Sequence, residues 1–208
     1  MKIIELLDKK SKNIYENKPI TIAFLGDSVT QGCYECYLTS PISLETVFDV
    51  KNAYSTRIRE MLNILYPNVQ INIINSGLSG DGTIGGNQRF NRDIAPFNPD
   101  LVVVSFGLND SCGGEENIKN YIANLTSIFD KVEGCGAECI FLTQNYMCNN
   151  VSPHLKDELF INLAKNFTNI QENGILKKYF ESAKELCAIR NIKVCDLYAV
   201  WEKLSKGG

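Results

Sequence analysis

The sequence has one histidine in 208 residues, and several common functional signatures are missing altogether. No stretch approaches the apolar length that a membrane span requires. The amino terminus, MKIIELLDKKSKNIYENKP, places Glu5 and Asp8 inside any would-be apolar segment. It therefore lacks a signal peptide's uninterrupted apolar region, and it has no small-residue cleavage site. The expectation is a cytoplasmic protein with no membrane partner. No charge sign dominates: 21 Lys and Arg stand against 24 Asp and Glu, for a formal net charge of −3. Without a basic patch, nucleic acid is not expected as a partner. GxxxxGK[ST] and a GxGxxG after a strand are both absent, which removes the phosphate loop and the dinucleotide fingerprint. GxSxG is missing too, against an α/β-hydrolase nucleophile elbow. There is no internal repeat, low-complexity segment or linker.

What is present suits one domain, residues 1–208, large enough to bury roughly 70% of its unfolded surface. Apolar residues make up 44% and charged residues 22%, ordinary for a globular chain. Eight cysteines are many for a cytoplasmic protein. Cys139, Cys187 and Cys195 sit in apolar patterns and read as buried small hydrophobes. Cys33 and Cys36 form a CxxC, while Cys112 and Cys148 fall in loops. A metal site needs converging ligands, usually with a second close pair, and only one close pair exists. Free thiols and no metal are expected.

Five strand-like runs alternate with helical patterns: 20–26, 69–75, 101–107, 138–144 and 192–198. Tyr54, Ile58, Met61, Leu62 and Leu65 keep helical spacing, and Pro67 closes that helix. Ile118, Ile122, Leu125, Phe129 and Val132 do the same, with Gly134 as the expected C-cap. Leu176, Tyr179, Phe180, Ala183, Leu186 and Cys187 form a third apolar face. This alternation argues for an α/β fold with a parallel sheet covered on both sides. The second run interleaves Gln70 and Asn72 with apolar residues, and the fifth carries Lys193. Both read as edge strands, which fits a five-stranded sheet in the flavodoxin-like order 2-1-3-4-5. Ligands then bind at the carboxyl ends beside the switch between strands one and three. Ser28 follows strand one and Asn109 follows strand three, so the topology brings them to one crevice.

Three polar, glycine-rich segments follow the first three strands: GDSVTQG, NSGLSGDGT and GLND. A lone GDS reads as a turn with local side-chain caps. Together the three supply what acyl transfer requires. Ser28 offers a hydroxyl nucleophile and its own N–H. Gly80 offers a second N–H open to close approach, and Asn109 a neutral side-chain donor. Asp27, Asp81, Asp110 and Asn75 read as residues that bond loop amides. Arg89 and Arg92 read as solvent charges on a helix face. The segment from Tyr146 to Asn173 reads as a long connection that shapes the substrate site.

These segments resemble the SGNH hydrolases, the GDSL esterase/lipase family, in content, order and spacing over about residues 20–200. The resemblance implies a three-layer α/β/α sandwich and ester hydrolysis with no metal or organic cofactor. It implies Ser28 as nucleophile, with Ser28, Gly80 and Asn109 forming the oxyanion hole. The partner implied is a small-molecule ester, with an O-acetylated carbohydrate among the candidates. In that family the base is a histidine in a DxxH segment after the fifth strand. No DxxH occurs in these 208 residues; Asp196 has Ala199 three places on, so it reads as a strand-end structural residue. The expectation is a single SGNH-hydrolase-like domain lacking its DxxH segment. His154, in NNVSPHLKDEL, reads as a surface-loop or helix-start residue, with substrate contact or service as a stand-in base for Ser28 as the sharper alternative. The rival function is a ligand-binding SGNH scaffold that performs no turnover.

Overall fold

In the computed structural model, which describes residues 1–207, the chain order is regular. It runs α1 (Lys2–Lys12), β1 (Ile20–Gly26), the single turn α2 (Ser28–Gln31), β2 (Cys33–Ser40), β3 (Ser43–Phe48), α3 (Tyr54–Leu65) and β4 (Ile71–Gly77). It continues through α4 (Thr83–Asp93), β5 (Leu101–Ser105), the single turn α5 (Leu108–Ser111), α6 (Ile118–Gly134) and β6 (Glu138–Leu142). α7 (Glu158–Glu172), α8 (Ile175–Ile189), β7 (Lys193–Cys195) and α9 (Leu197–Gly207) complete it.

Strand β1 is buried along its whole length, so both of its faces need cover. Ile20, Ile22 and Phe24 pack with Ile3 and Leu7 of α1 and with Tyr54, Ile58 and Leu62 of α3. The alternate residues Ala23 and Leu25 join Phe90 of α4, Leu125 and Phe129 of α6, and Tyr179 and Phe180 of α8. Period-2 alternation along a strand and 3.6-residue periodicity along the helices thus build two cores around one sheet. The sheet order is β4-β1-β5-β6-β7. Counting only the strands of this sheet, that is the expected 2-1-3-4-5, with the two polar-interrupted strands at its edges. β1 pairs in parallel with β4 on one side and with β5 on the other. The switch therefore lies where Gly26 ends β1.

Several elements depart from the sequence reading. Strands β2 and β3 form a separate antiparallel hairpin directly after the serine turn. Its residues are largely exposed, so no core-facing apolar alternation marks it in the sequence. α1 is a helix whose Ile3, Leu7 and Lys10 are buried. The stretch expected as a long connection contains α7, signalled by Leu159, Leu163, Phe167 and Ile170 at helical spacing. α6 includes Gly134, and the left-handed residue after it is Gly136, at φ +69°. β7 is short, because Leu197 and Tyr198 already belong to α9. Cys187 is buried as expected, but Cys139 is half-buried and Cys195 exposed.

Candidate active site

Leaving β1, the chain turns at Asp27, whose Oδ1 accepts the Val29 N–H at 2.9 Å and caps α2. Aspartate suits this place because a helix start leaves N–H groups without partners. Ser28 is the first residue of the turn and is half-buried. The turn sits against the end of β4, since a Cβ on Gly77 would lie 2.1 Å from the Gln31 nitrogen. Thr30, fully buried, shares a 2.9 Å hydrogen bond with the Tyr54 hydroxyl of α3.

The glycine segment follows β4. Asn75 Nδ2 donates to Thr30 O at 2.9 Å and to Ser55 Oγ at 3.1 Å, while its Oδ1 accepts the Gly77 N–H at 3.0 Å. Gly80 has φ +77°, and a Cβ built there meets nothing within 4 Å. The left-handed backbone favours glycine there, and the space around it is open.

Asn109 lies in α5, and its Nδ2 donates to Asp81 O at 2.7 Å. That bond ties the asparagine turn to the residue after Gly80 and leaves the second amide hydrogen free. Asp110 accepts the Thr83 N–H at 3.0 Å and the Thr83 hydroxyl at 2.5 Å through Oδ1. Its Oδ2 is buried without a partner among the described residues. The aspartates thus bond loop amides, as the sequence reading proposed.

Arg89 is buried, not the solvent charge that its place on a polar helix face suggests. Its guanidinium is buried and donates to Asp81 Oδ2 at 2.7 Å, Ser76 O at 2.8 Å, Ser76 Oγ at 2.7 Å and Gly26 O at 2.9 Å. Gly26 O also accepts the Leu78 N–H at 3.1 Å, so the fork of fixed donors adds a second hydrogen bond to this strand-end carbonyl. Arg92 is exposed and pairs with Asp93.

Burial dominates the electrostatics. It pushes the Asp27 carboxyl up to about 6, opposed by the Gln144 and Val29 hydrogen bonds and reinforced by the nearby Asp110. Asp110 is raised for the same reason, with the Thr83 hydrogen bonds opposing.

Ser28 and Asn109 open on one cleft of about 320 Å³, lined also by Leu108, Asn145, Tyr146, Met147, Cys148 and Phe167. Gly80 is absent from this lining and is held nearby through the Asn109–Asp81 bond. The N–H groups of Ser28 and Gly80 find no acceptor among the described residues. The Ser28 hydroxyl likewise has no hydrogen-bond partner among them. His154 is exposed and outside the cleft lining; its backbone N–H donates to Ser152 Oγ at 3.3 Å. Asp196 binds Thr143 Oγ1, the Ala199 N–H and Lys184, a strand-end role. Tyr34 and Glu35 lie exposed on the hairpin and do not line the cleft. Cys33 and Cys36 are also exposed there, and no group of three or more potential metal ligands occurs among the described residues.

Two residues that organise this site were invisible to sequence reasoning as site residues: Arg89 and Gln144. In the sequence Gln144 is only the end of an apolar run. A polar side chain closing a buried strand was the available signal.

The parallel sheet, with the serine turn and the asparagine turn flanking its switch point, is a flavodoxin-like α/β fold. Residues 24–207 match the GDSL-like Lipase/Acylhydrolase family, and the chain belongs to that family. An acetylxylan esterase of Geobacillus stearothermophilus is 27% identical over 89 residues, 43% of this chain. That match spans only 39% of the esterase's length. The crystal structure of an acetylxylan esterase from the same organism superposes with a TM-score of 0.65 at 19% identity, covering 91% of this chain and 81% of its own. A gut microbial diltiazem-metabolizing enzyme gives a TM-score of 0.65 at 20% identity over 88% of this chain and 37% of its own. These superpositions show the shared fold.

Proposed function

We propose that the chain is a serine esterase for a small acyl ester, with O-acetylated carbohydrate as the substrate class. The observation that carries this reading is the shared cleft of Ser28 and Asn109, beside two backbone N–H groups without acceptors. The resemblance to an acetylxylan esterase supports the choice of acyl group.

In the proposed cycle Ser28 Oγ attacks the ester carbonyl carbon. The negative charge that develops on the carbonyl oxygen is met by the Ser28 N–H, the Gly80 N–H and Asn109 Nδ2. The carbon–alkoxy bond breaks, and the alcohol leaves carrying the proton given up by Ser28. Water then hydrolyses the acyl-enzyme and regenerates the hydroxyl. A base must accept the Ser28 proton. His154 is outside the cleft lining and is not assigned that role, and the cycle as proposed assigns it to no other described residue.

The second reading is a ligand-binding protein on the same scaffold, favoured by the lack of any described partner for the Ser28 hydroxyl. Hydrolysis of p-nitrophenyl acetate separates the two. Turnover by the full-length protein that disappears in Ser28→Ala supports the esterase. Equal turnover in both overturns it. Saturable ester binding with no turnover supports the second reading.

A further inference from the structure

The three segments of the site are tied to one another unequally. The serine turn and the glycine segment bond directly: Gln31 Oε1 accepts the Ser79 N–H at 2.8 Å, and Asn75 donates to Thr30 O. The glycine and asparagine segments also bond directly, through Asn109 to Asp81 O and Thr83 to Asp110. Beyond the β1–β5 ladder, the described side-chain hydrogen bonds joining the serine turn to the asparagine turn run through one group, the Gln144 carboxamide. Its Nε2 donates to Asp27 Oδ2 at 2.7 Å, and its Oε1 accepts the Leu108 N–H at 2.9 Å. Asp27 immediately precedes Ser28, and Leu108 immediately precedes Asn109. Gln144 is 1% exposed and sits two residues past β6, a segment that contributes nothing else to the three motifs.

We infer that Gln144 is a positioning residue, a buried strut that fixes the separation between Ser28 and Asn109. The inference rests on the esterase reading of that pair. A carboxamide has one acceptor end and one donor end. The Leu108 N–H can only donate, so Oε1 must face it and Nε2 must face Asp27. Asp27 must then present an unprotonated oxygen. The groups around Asp27 are the Val29 N–H, the Gln144 amide and the Asp110 carboxylate, with Tyr54 and Cys33 within reach of its field. Burial, which lifts Asp27 to about 6, makes this acceptor titrate near neutrality.

The polarity of the strut can be reversed, and that supplies the test. Gln144→Glu sets two carboxylates against each other. Asp27→Asn sets two amide donors against each other. The double variant Asp27→Asn with Gln144→Glu restores every hydrogen bond. The amide introduced at position 27 still accepts from Val29 through its oxygen, and its nitrogen donates to the carboxylate introduced at position 144. The second oxygen of that carboxylate accepts from Leu108. Each single variant is expected to lower kcat on p-nitrophenyl acetate by roughly 10–100-fold, the scale of small misplacements near reacting groups, with KM changed by less than about three-fold. The double variant is expected to recover at least about ten-fold of that loss, where independent sites would simply add. The wild-type kcat should fall as pH drops below 6. Gln144→Glu should show the opposite slope, since its paired carboxylates need a shared proton.

An amide NMR measurement reads the strut without turnover. Gln144→Glu should move the Ser28 and Val29 amide signals, Asp27→Asn those of Leu108 and Asn109, and the double variant should return both sets. If Gln144→Glu fails to fold, Asp27→Asn and the double variant carry the comparison. A wild type without Ser28-dependent turnover defeats the esterase reading, and the amide signals still decide the strut. Ser28-dependent turnover with additive single effects, or amide signals unmoved across the strut, overturns the inference.

Discussion

Replacing Arg89 tests how the site is held. The guanidinium is 7% exposed and the Asp81 carboxylate 10%, so the surface-pair scale does not apply. Arg89→Met keeps the apolar stem but leaves the Asp81 carboxylate buried with only the Gly82 N–H at 2.9 Å as a partner. It also strips donors from Gly26 O and Ser76 O. Removing one partner of a buried pair costs about 3–5 kcal/mol. For a chain of this size each kcal/mol corresponds to roughly 2–4 °C in Tm, so a loss of about 6–20 °C is expected. Arg89→Lys keeps the charge but loses the fork, and an intermediate loss follows. Asp81→Asn placed in the Arg89→Met background should recover part of the cost, because it removes the stranded charge. Urea unfolding followed by two probes, with Cm and m compared across wild type, Arg89→Met, Asp81→Asn and the double variant, gives the coupling. Arg89→Met within about 1 kcal/mol of wild type would refute the reasoning, since the network would then carry no appreciable energy.

Two glycines beside the site should respond differently to alanine. Gly77→Ala drives a Cβ to 2.1 Å from the Gln31 backbone nitrogen and must displace α2; a loss of about 1–3 kcal/mol with reduced esterase activity is expected. Gly80→Ala meets no atom within 4 Å and carries only the left-handed backbone cost of about 1–2 kcal/mol, so thermal melts should show two separate penalties. The Asp27 carboxyl binds its proton more tightly folded than unfolded. Its contribution to stability is therefore greatest in acid and is lost as pH rises from its usual 3.8 to about 6, a total of about 3 kcal/mol. Urea stability of Asp27→Asn relative to wild type should rise between pH 4 and pH 7, and a pH-independent difference would contradict the assignment. Asp93 and Asp196, held below the usual carboxylate range, act with the opposite sign and lose their contribution as pH falls. His154→Ala should leave p-nitrophenyl ester turnover at the wild-type level; a collapse would place the imidazole in the chemistry after all.

The sheet was legible because its signals are local. Nearly continuous apolar runs mark β1 and β5, and polar interruptions mark the edge strands, so order and switch point follow from the sequence. The hairpin left no such trace. Tyr34, Tyr37 and Val47 are exposed, and strands without a buried face carry no diagnostic alternation. α1 was passed over because its Ile3–Leu7 stripe is too short to stand out beside a lysine-rich surface. Arg89 shows a different limit. Nothing in QRFNRDIAPF separates an arginine aimed at solvent from one aimed at strand-end carbonyls. That distinction exists only once α4 lies across the ends of β1 and β4. Gln144 is the same case, since its two partners are 117 and 36 residues away in sequence.

The three aspartates next to the motif residues raise a question of sign. Asp81 pairs with the buried Arg89, while Asp27 and Asp110 are buried with no ion-pair partner among the described residues, which makes a poor setting for stability. Each, however, accepts backbone N–H groups: Val29 for Asp27, Gly82 for Asp81, Thr83 for Asp110. Turns at the carboxyl ends of parallel strands are rich in such unpaired donors, and aspartate answers them within a few residues. Neighbouring N–H groups are consumed in this way, while those of Ser28 and Gly80 keep no acceptor. The Asn109 amide is half used, with one hydrogen on Asp81 O and one free. Asp110 Oδ2 is an open acceptor, but a buried one. The Ser28 and Gly80 N–H groups and the second Asn109 amide hydrogen are open donors, and a donor cluster selects a carbonyl or an anionic oxygen over a cation. The esterase and the binding protein both require that selection. What separates them is whether anything removes the Ser28 proton, which is why activity in the full-length protein is the decisive measurement.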